Sequence, residues 1–246
     1  MDAISAPTLA LGICAFVLGG LVKGTLGIGL PMVAVPLLSL GVPATRAMVL
    51  VMVSVLVSNL WQMRASGISA AGVRRFLPLI AALLVSTVIT VPLTLALPEN
   101  TLRRLLALVV LLALALNALP LHLQVPPAQE RWWSLAVGTT SGILGGVSSL
   151  TGPIIISYLM SLRMAREVFV GSISVIYLVG AMALYASMAV QGRIGGTDLL
   201  WSTLALLPMA VGLVIGQRLR GHLSEAWFRR VLLAFLGAVA LTLLLR

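Results

Sequence analysis

Charged residues are scarce in this chain of 246 residues, and acidic ones are the scarcest. Only 9% of the residues are charged, with six acids against 16 bases, whereas about 25% are charged in soluble domains. This scarcity excludes an ordinary soluble globule. The formal net charge is +10, but the bases occur singly or in pairs, without the long basic run typical of nucleic-acid binding. We therefore expect no nucleic-acid partner.

Cysteine, nucleotide-binding loops and buried acids are also missing. Cys14 is the one cysteine, which excludes an intramolecular disulfide and a cysteine-based zinc site. No G-x-x-x-x-G-K-[ST] loop occurs, so we do not expect ATP hydrolysis. The acids fall at the termini or at segment ends: Asp2, Glu99, Glu130, Glu167, Asp198 and Glu225. We expect no metal, no cofactor and no carboxylate proton relay within the membrane.

Apolar residues make up 60% of the chain. A helix needs roughly 17–25 apolar residues to cross a bilayer. Apolar blocks lie near 6–22, 27–40, 46–62, 76–97, 104–120, 133–147, 150–162, 168–190, 199–216 and 231–245. Blocks 27–40, 133–147 and 150–162 are short and contain Gly and Pro, which predicts tilted crossings, half-helices or re-entrant hairpins. We predict an all-α, multi-pass protein of the cell inner (plasma) membrane, with eight to ten segments in the lipid bilayer.

The sequence also repeats itself. Gly20, Gly24, Leu26 and Gly27 recur as Gly138, Gly142, Leu144 and Gly145; Arg46 and Ser54 recur as Arg166 and Ser174; Glu99, Arg103 and Arg104 recur as Glu225, Arg229 and Arg230. We predict a first transmembrane repeat over 1–121, a linker over 122–131 and a second repeat over 132–246. Each repeat has about five helical segments, with Gly/Pro-broken helices at the centre.

Counting arginines by loop favours inverted repeats. If each Gly-rich pair crosses twice or re-enters, one side receives Arg64, Arg74, Arg75, Arg131, Arg163, Arg166, Arg218, Arg220, Arg229 and Arg230, and the other Arg46, Arg103, Arg104, Arg193 and Arg246. A single crossing per pair gives a weaker bias. Basic loops favour the cytoplasm, so the two halves are expected to be inverted, with a substrate site near the midplane at their interface.

The first Gly-rich break carries the only lysine, Lys23. A lysine at membrane depth costs about 2.5–3.5 kcal/mol on insertion scales and indicates a functional site, unless it lies in a loop or reaches the headgroups. Glycines there permit unwound backbone, and a helix starting beyond the break directs N–H groups at an anion. The candidate substrate-binding residues are Lys23, Gly24, Thr25, Gly27 and Gly29. The alternative for the glycines is close helix packing, and both roles can hold together.

The equivalent break in the second half contains hydroxyls instead of a lysine. Its candidate substrate-binding residues are Gly145, Gly146, Ser148, Ser149, Thr151 and Gly152. Hydroxyls can donate hydrogen bonds to an oxyanion, although each can also bond to the preceding helical turn. We expect the two breaks to face each other and to line the substrate cavity. Arg46 and Arg166 are interpreted as interface anchors or as an anion funnel, and Glu99 with Arg103 as a capping ion pair.

The motif G-x-x-x-G-T-L-G-I-G over Gly20–Gly29, followed by Pro31 and Pro36, has a degenerate copy over Gly138–Pro153. With this duplication the chain resembles the sulfite exporter TauE/SafE family of membrane permeases. The resemblance implies outward transport of small anions, often sulfur oxyanions such as sulfite or organosulfonates. Val147, Ser148 and Ser149 depart from the pattern where more glycine is expected.

The leading hypothesis is therefore a secondary transporter or facilitator that exports a small anion and is not an enzyme, and we allow for a homodimer. One alternative is a rhomboid-like intramembrane serine peptidase, because G-V-S-S over 146–149 fits a G-x-S-x pattern. Its serine would need a base within hydrogen-bond reach, and His122 and His222 lie at segment ends. A non-catalytic subunit of a membrane complex is the other alternative.

Overall fold

A computed structural model describes residues 6–118, 125–220, 222 and 224–245 of the chain. Helices account for all regular structure within those ranges, together with a 3-10 turn at Pro127–Gln129. The helices are α1 (Ala6–Leu26), α2 (Leu30–Leu38), α3 (Ala44–Leu50), α4 (Met52–Ser66), α5 (Ala70–Arg74), α6 (Leu77–Leu95), α7 (Glu99–Ala118), α8 (Glu130–Ser148), α9 (Gly152–Ser161), α10 (Arg166–Val190), α11 (Gly196–Leu204), α12 (Leu206–Leu219) and α13 (Glu225–Leu245). The predicted all-α class is confirmed.

Six stretches among the described residues are long and apolar enough to cross a membrane. They are Ala6–Leu26, Ala44–Ser66, Leu77–Leu95, Glu167–Val190, Gly196–Leu219 and Trp227–Leu245. Helix α6 shows the expected two faces: Val85, Ile89 and Leu93 are exposed along one stripe, while Leu79 and Leu83 are buried. An exposed apolar stripe of this length suits lipid rather than water. The chain is an integral membrane protein.

Each predicted apolar block contains at least one helix, but two blocks contain a pair. Helices α3 and α4 are interrupted at Val51, and α11 and α12 at Ala205. Beside the first interruption, the Val53 N–H donates to the Ser202 hydroxyl at 2.9 Å. A side chain that accepts a hydrogen bond from a helix backbone is a known cause of a kink. No Gly or Pro lies beside Val51, and that interruption was not predicted. Pro208 removes the N–H that would bond to the Leu204 carbonyl, so it is a signal for the interruption at Ala205 that was missed.

The chain forms two compact units. The first contains Met1–Ser54, Pro98–Leu114 and Ile194–Arg246. Within it α1 packs along α12, α2 folds back on α1, and α3 contacts α11. Glycines permit the close approach of α1 and α12, because a methyl group at Gly20 would overlap the Met209 carbonyl and one at Gly212 would overlap the Val17 carbonyl. The packing alternative for Gly20 therefore holds.

The second unit contains Val55–Leu97 and Ala115–Arg193. Within it α8 packs along α6, and α10 contacts α6 and α9. Gly138 and Gly142 allow the α8–α6 contact, since a methyl group at either would overlap a backbone carbonyl of α6, that of Leu79 or Leu83. Each unit thus combines segments from both sides of the predicted 122–131 linker. The two repeats and their boundaries remain a prediction.

Arg75 and Arg193 lie at opposite ends of α6. Arg75 precedes its first turn, and the Arg193 guanidinium donates to the Leu95 carbonyl at its last residue, 3.2 Å away. Nineteen helical residues separate the two ends by about 28 Å, close to the thickness of the hydrocarbon core. The inverted-repeat prediction requires opposite sides for these two arginines.

Candidate functional site

The first break lies between α1 and α2 and is shorter than predicted. Helix α1 continues through Leu26, so only residues 27–29 are outside helical structure. Gly27 and Gly29 have φ of 81° and 98°, in the left-handed region that a side chain disfavours. Pro31 then lies in the first turn of α2, a position where its missing N–H costs nothing. The first-turn amides of α2 point back into the break.

Lys23 lies in the last turn of α1, immediately before this break. Its exposed fraction is 7%, so it is neither a loop residue nor a side chain spread into the headgroups. The Lys23 carbonyl accepts a hydrogen bond from the Gly27 N–H at 2.8 Å, which ties the break to the end of the helix. A buried lysine thus directly precedes the break from which the second helix starts.

Gly24 and Thr25 also have structural roles. A methyl group at Gly24 would overlap the Leu213 carbonyl of α12, so Gly24 serves close packing. The Thr25 hydroxyl donates to the carbonyls of Leu21 and Val22 at 2.9 and 3.1 Å. For both residues the structural alternative holds. Their assignment to substrate binding stays a prediction.

The second break spans residues 149–151, between α8 and α9. Ser149 is in the left-handed region with φ of 65°, and its N–H donates to the Gly145 carbonyl at 2.7 Å. Thr151 then precedes α9 without capping it through its side chain. The amides of the first turn of α9 have no carbonyl partner within their own helix.

Gly145, Gly146 and Ser148 belong to the end of α8 and not to the break itself. A methyl group at Gly145 would overlap the Thr151 methyl, so Gly145 lets the chain fold back on the helix. Gly146 allows a close approach of α6, because a methyl group there would overlap the Thr90 side chain. The structure therefore brings Gly145, Ser149 and Thr151 together, and their assignment to substrate binding stays a prediction.

Ser148 is fully buried and its hydroxyl donates to the Leu144 carbonyl at 2.7 Å. It also accepts a hydrogen bond from the Leu150 N–H at 3.2 Å. Its proton is directed at a backbone carbonyl, whereas a nucleophilic serine directs its proton at a base. The described residues also contain no group of three or more His, Cys, Asp or Glu suited to a metal ion.

Two tyrosines of α10 flank the second break, and no motif in the sequence pointed to either. The Tyr177 hydroxyl lies against Gly152, where a Cβ would be only 2.7 Å from the oxygen. The Tyr185 hydroxyl lies close to the Ser149 side chain. One signal was available: buried tyrosine hydroxyls usually have a partner, and a tyrosine within an apolar helix therefore calls for one.

Ion pairs and caps gather at the helix ends of each unit. In the first unit Glu99 accepts a hydrogen bond from the Ala44 N–H at 2.7 Å and so caps α3. The sequence predicted Arg103 as the partner of Glu99 instead.

Arg46 forms an ion pair in the same unit. Its Nε lies 3.2 Å from Asp198 Oδ1, which suits an interface anchor. The Arg166 side chain lies outside the described residues. In the second unit two hydrogen bonds to Glu130 raise the pKa of Arg75.

A multi-pass helical protein with a buried lysine and two broken helices has the architecture of a membrane transporter. The family model described as Sulfite exporter TauE/SafE matches residues 11–243. The chain belongs to this family of transporters in the inner membrane, which exports sulfite and related sulfur anions. Comparison with curated proteins and with solved structures gave no match.

Proposed function

We propose that this chain exports a small sulfur oxyanion, sulfite or an organosulfonate, as a secondary transporter or facilitator. The observation that carries the proposal is the buried Lys23 directly before the Gly27–Gly29 break, in a chain of the sulfite exporter family. A lysine supplies charge and three donors, and the start of α2 supplies backbone N–H groups in the favourable direction of the helix dipole.

The second break is proposed to present neutral donors to the same class of anion. Its first-turn amides in α9 and the hydroxyls of Ser149 and Thr151 can solvate sulfonate oxygens without a fixed charge. Gly145 and Gly152 are proposed to act through the backbone shape they allow. A site with one cation, and not several, can bind a monoanion and still release it, which a transporter requires.

Purified protein in liposomes tests the proposal. We expect efflux of sulfite or methanesulfonate from vesicles containing this chain alone, and none from empty vesicles. Absence of flux, with either anion and with a membrane potential imposed, would contradict the transporter assignment and favour a subunit that needs partners. Cleavage of a membrane peptide would favour the peptidase, although the hydrogen bond from Ser148 to Leu144 speaks against it.

A further inference from the structure

The second break has polar groups that its own fold leaves unsatisfied. Tyr177 Oη and Tyr185 Oη are buried. Within the part of the chain that the structure describes, Tyr177 Oη has no hydrogen-bond partner, and Tyr185 Oη has only a poorly aligned contact with the Ser149 side chain. Buried polar groups without partners are rare and each one calls for a reason. Tyr158, the third tyrosine, shows the ordinary arrangement: its hydroxyl lies 2.8 Å from the Ser134 hydroxyl.

Both hydroxyls are directed at the break. Tyr177 Oη lies over Gly152, the first residue of α9, where a side chain would displace it. Tyr185 is 4% exposed and its hydroxyl lies beside Ser149, the residue with left-handed backbone at the end of α8. The two tyrosines therefore bracket residues 149–152, one at each end.

The uncapped start of α9 lies between them. Thr151 does not cap it with its side chain, and Pro153 removes one N–H from its first turn. The remaining first-turn amides and the two phenol groups are all hydrogen-bond donors, and none of them carries a charge. Neutral donors that have no acceptor of their own to bond suit an oxyanion, whose oxygens accept several hydrogen bonds and donate none.

We propose that the hydroxyls of Tyr177 and Tyr185 donate hydrogen bonds to the transported oxyanion as it passes the second break. The inference rests on the proposed function, because it supplies that substrate with two binding residues that the sequence motifs do not contain. It also accounts for Gly152: with no side chain there, the Tyr177 hydroxyl can approach the start of α9 and share a ligand with it.

The test replaces each tyrosine by phenylalanine, with Tyr158→Phe as the matched control. Hydrogen bonds to charged groups are the stronger ones, so Tyr177→Phe and Tyr185→Phe should each raise the KM for sulfite and methanesulfonate efflux about tenfold or more. For Tyr177→Phe the unfolding temperature without anion should stay unchanged or rise, because an unsatisfied buried hydroxyl has been removed. For Tyr185→Phe it should stay unchanged, because the contact with Ser149 that is lost is poorly aligned. Tyr158→Phe should show the reverse, a lower unfolding temperature and an unchanged KM.

Each other outcome has a defined meaning. If the unaltered protein transports these anions and both phenylalanine variants keep its KM, the tyrosine proposal is wrong and the proposed function stands. If either variant loses stability with KM unchanged, its hydroxyl is structural, and the proposal is wrong for that residue. If the unaltered protein neither transports nor binds sulfite or methanesulfonate, the proposed function fails and the tyrosine proposal fails with it.

Discussion

Lys23 shows, for a single residue, what the sequence predicts and what only the structure adds. Its identity as the only lysine within an apolar stretch marked it as a candidate, because a cation at membrane depth needs compensation. Its burial to 7% exposure in the last turn of α1 could not be read from the sequence, since the same residues fit a loop. The tyrosines of α10 are the converse case. A tyrosine in an apolar helix is ordinary, and only the structure shows that these two hydroxyls lie beside the second break.

Replacing Lys23 should weaken anion binding more than it weakens the fold. Lys23→Ala is expected to raise the dissociation constant for sulfite about 10- to 100-fold, the range for hydrogen bonds to charged groups. Lys23→Arg should restore binding in part, since the guanidinium keeps the charge but not the compact geometry. Anion-induced shifts in unfolding temperature measure both. Arg104→Ala, at an exposed position near the start of α7, serves as the control that removes a charge elsewhere.

A normal sulfite affinity in Lys23→Ala would contradict this prediction. The second break, with its neutral donors, would then be the sole candidate for the anion site. The tyrosine variants described above provide an independent measurement of that break, so the two breaks can be judged separately.

At the scale of the element, the close packing of α1 against α12 depends on glycines in both helices. Gly20 and Gly24 of α1 are matched by Gly212 and Gly216 of α12, and each would meet a backbone carbonyl of the opposite helix if it carried a methyl group. From the four-residue spacing, the sequence offered close packing of this kind as the alternative to substrate binding. It did not identify α12 as the partner, because glycine spacing specifies a face and not what lies against it.

Gly20→Ala should destabilise the protein, whereas Gly12→Ala in the same helix should not. The added methyl at Gly20 meets backbone atoms of Met209 and Leu213, which cannot rotate away, while the one at Gly12 meets nothing within 4 Å. Overpacking typically costs about 1–3 kcal/mol, and glycine to alanine in an open helical position gains up to about 1 kcal/mol. Thermal unfolding in detergent compares the two. Equal unfolding temperatures would mean that α1 and α12 are not in close contact.

Ser202 is predicted to hold the interruption between α3 and α4. Its fully buried hydroxyl accepts the Val53 N–H, so Ser202→Ala leaves that donor unsatisfied at a cost of about 1–3 kcal/mol. Thr203→Ala is the neighbouring control, because its hydroxyl is exposed and bonds within its own helix. Unfolding temperatures should fall for Ser202→Ala alone. An unchanged Ser202→Ala protein would indicate that the interruption is set by the backbone without this bond.

At the scale of the whole molecule the sequence was most informative where composition decides and least where distant segments meet. The apolar blocks located the membrane helices because the bilayer requires long hydrophobic runs. Pro31 and Pro153, which the sequence indicated only as motif positions, lie in the first turns of α2 and α9. The make-up of the compact units was not predictable, since each joins segments from both sides of the linker. Such pairing depends on surface complementarity between helices of nearly identical composition.

Membrane topology can be tested with the ends of α6. With Cys14 replaced by serine, Arg75→Cys and Arg193→Cys should react with an impermeant maleimide from opposite sides of the membrane, because the two residues flank a helix of bilayer length. Oriented vesicles with and without permeabilisation distinguish the sides. Labelling of both positions from one side would refute the spanning orientation of α6 and with it the inverted-repeat prediction.

The driving force for transport follows from where charge is placed. Each acid with a described side chain, Glu99, Glu130, Glu167 and Asp198, lies in the first turn of a helix, where the helix dipole favours it. Among these four described acids, none lies in the middle of a helix, where a carboxylate could relay protons across the membrane. A negative-inside potential favours anion exit by about 2.3 kcal/mol per charge per 100 mV, which is about fiftyfold in concentration.

We therefore expect the membrane potential alone to drive export. Proteoliposomes loaded with methanesulfonate, a monoanion at all accessible pH values, should show efflux that rises with a negative-inside potential clamped by potassium and valinomycin. Collapsing the pH gradient at constant potential should leave the rate unchanged, because no proton needs to move with the substrate. Flux that ignores the potential and follows the proton gradient would refute this mechanism. A titrating group would then have to couple transport to protons, and Lys23 would be the first residue to replace.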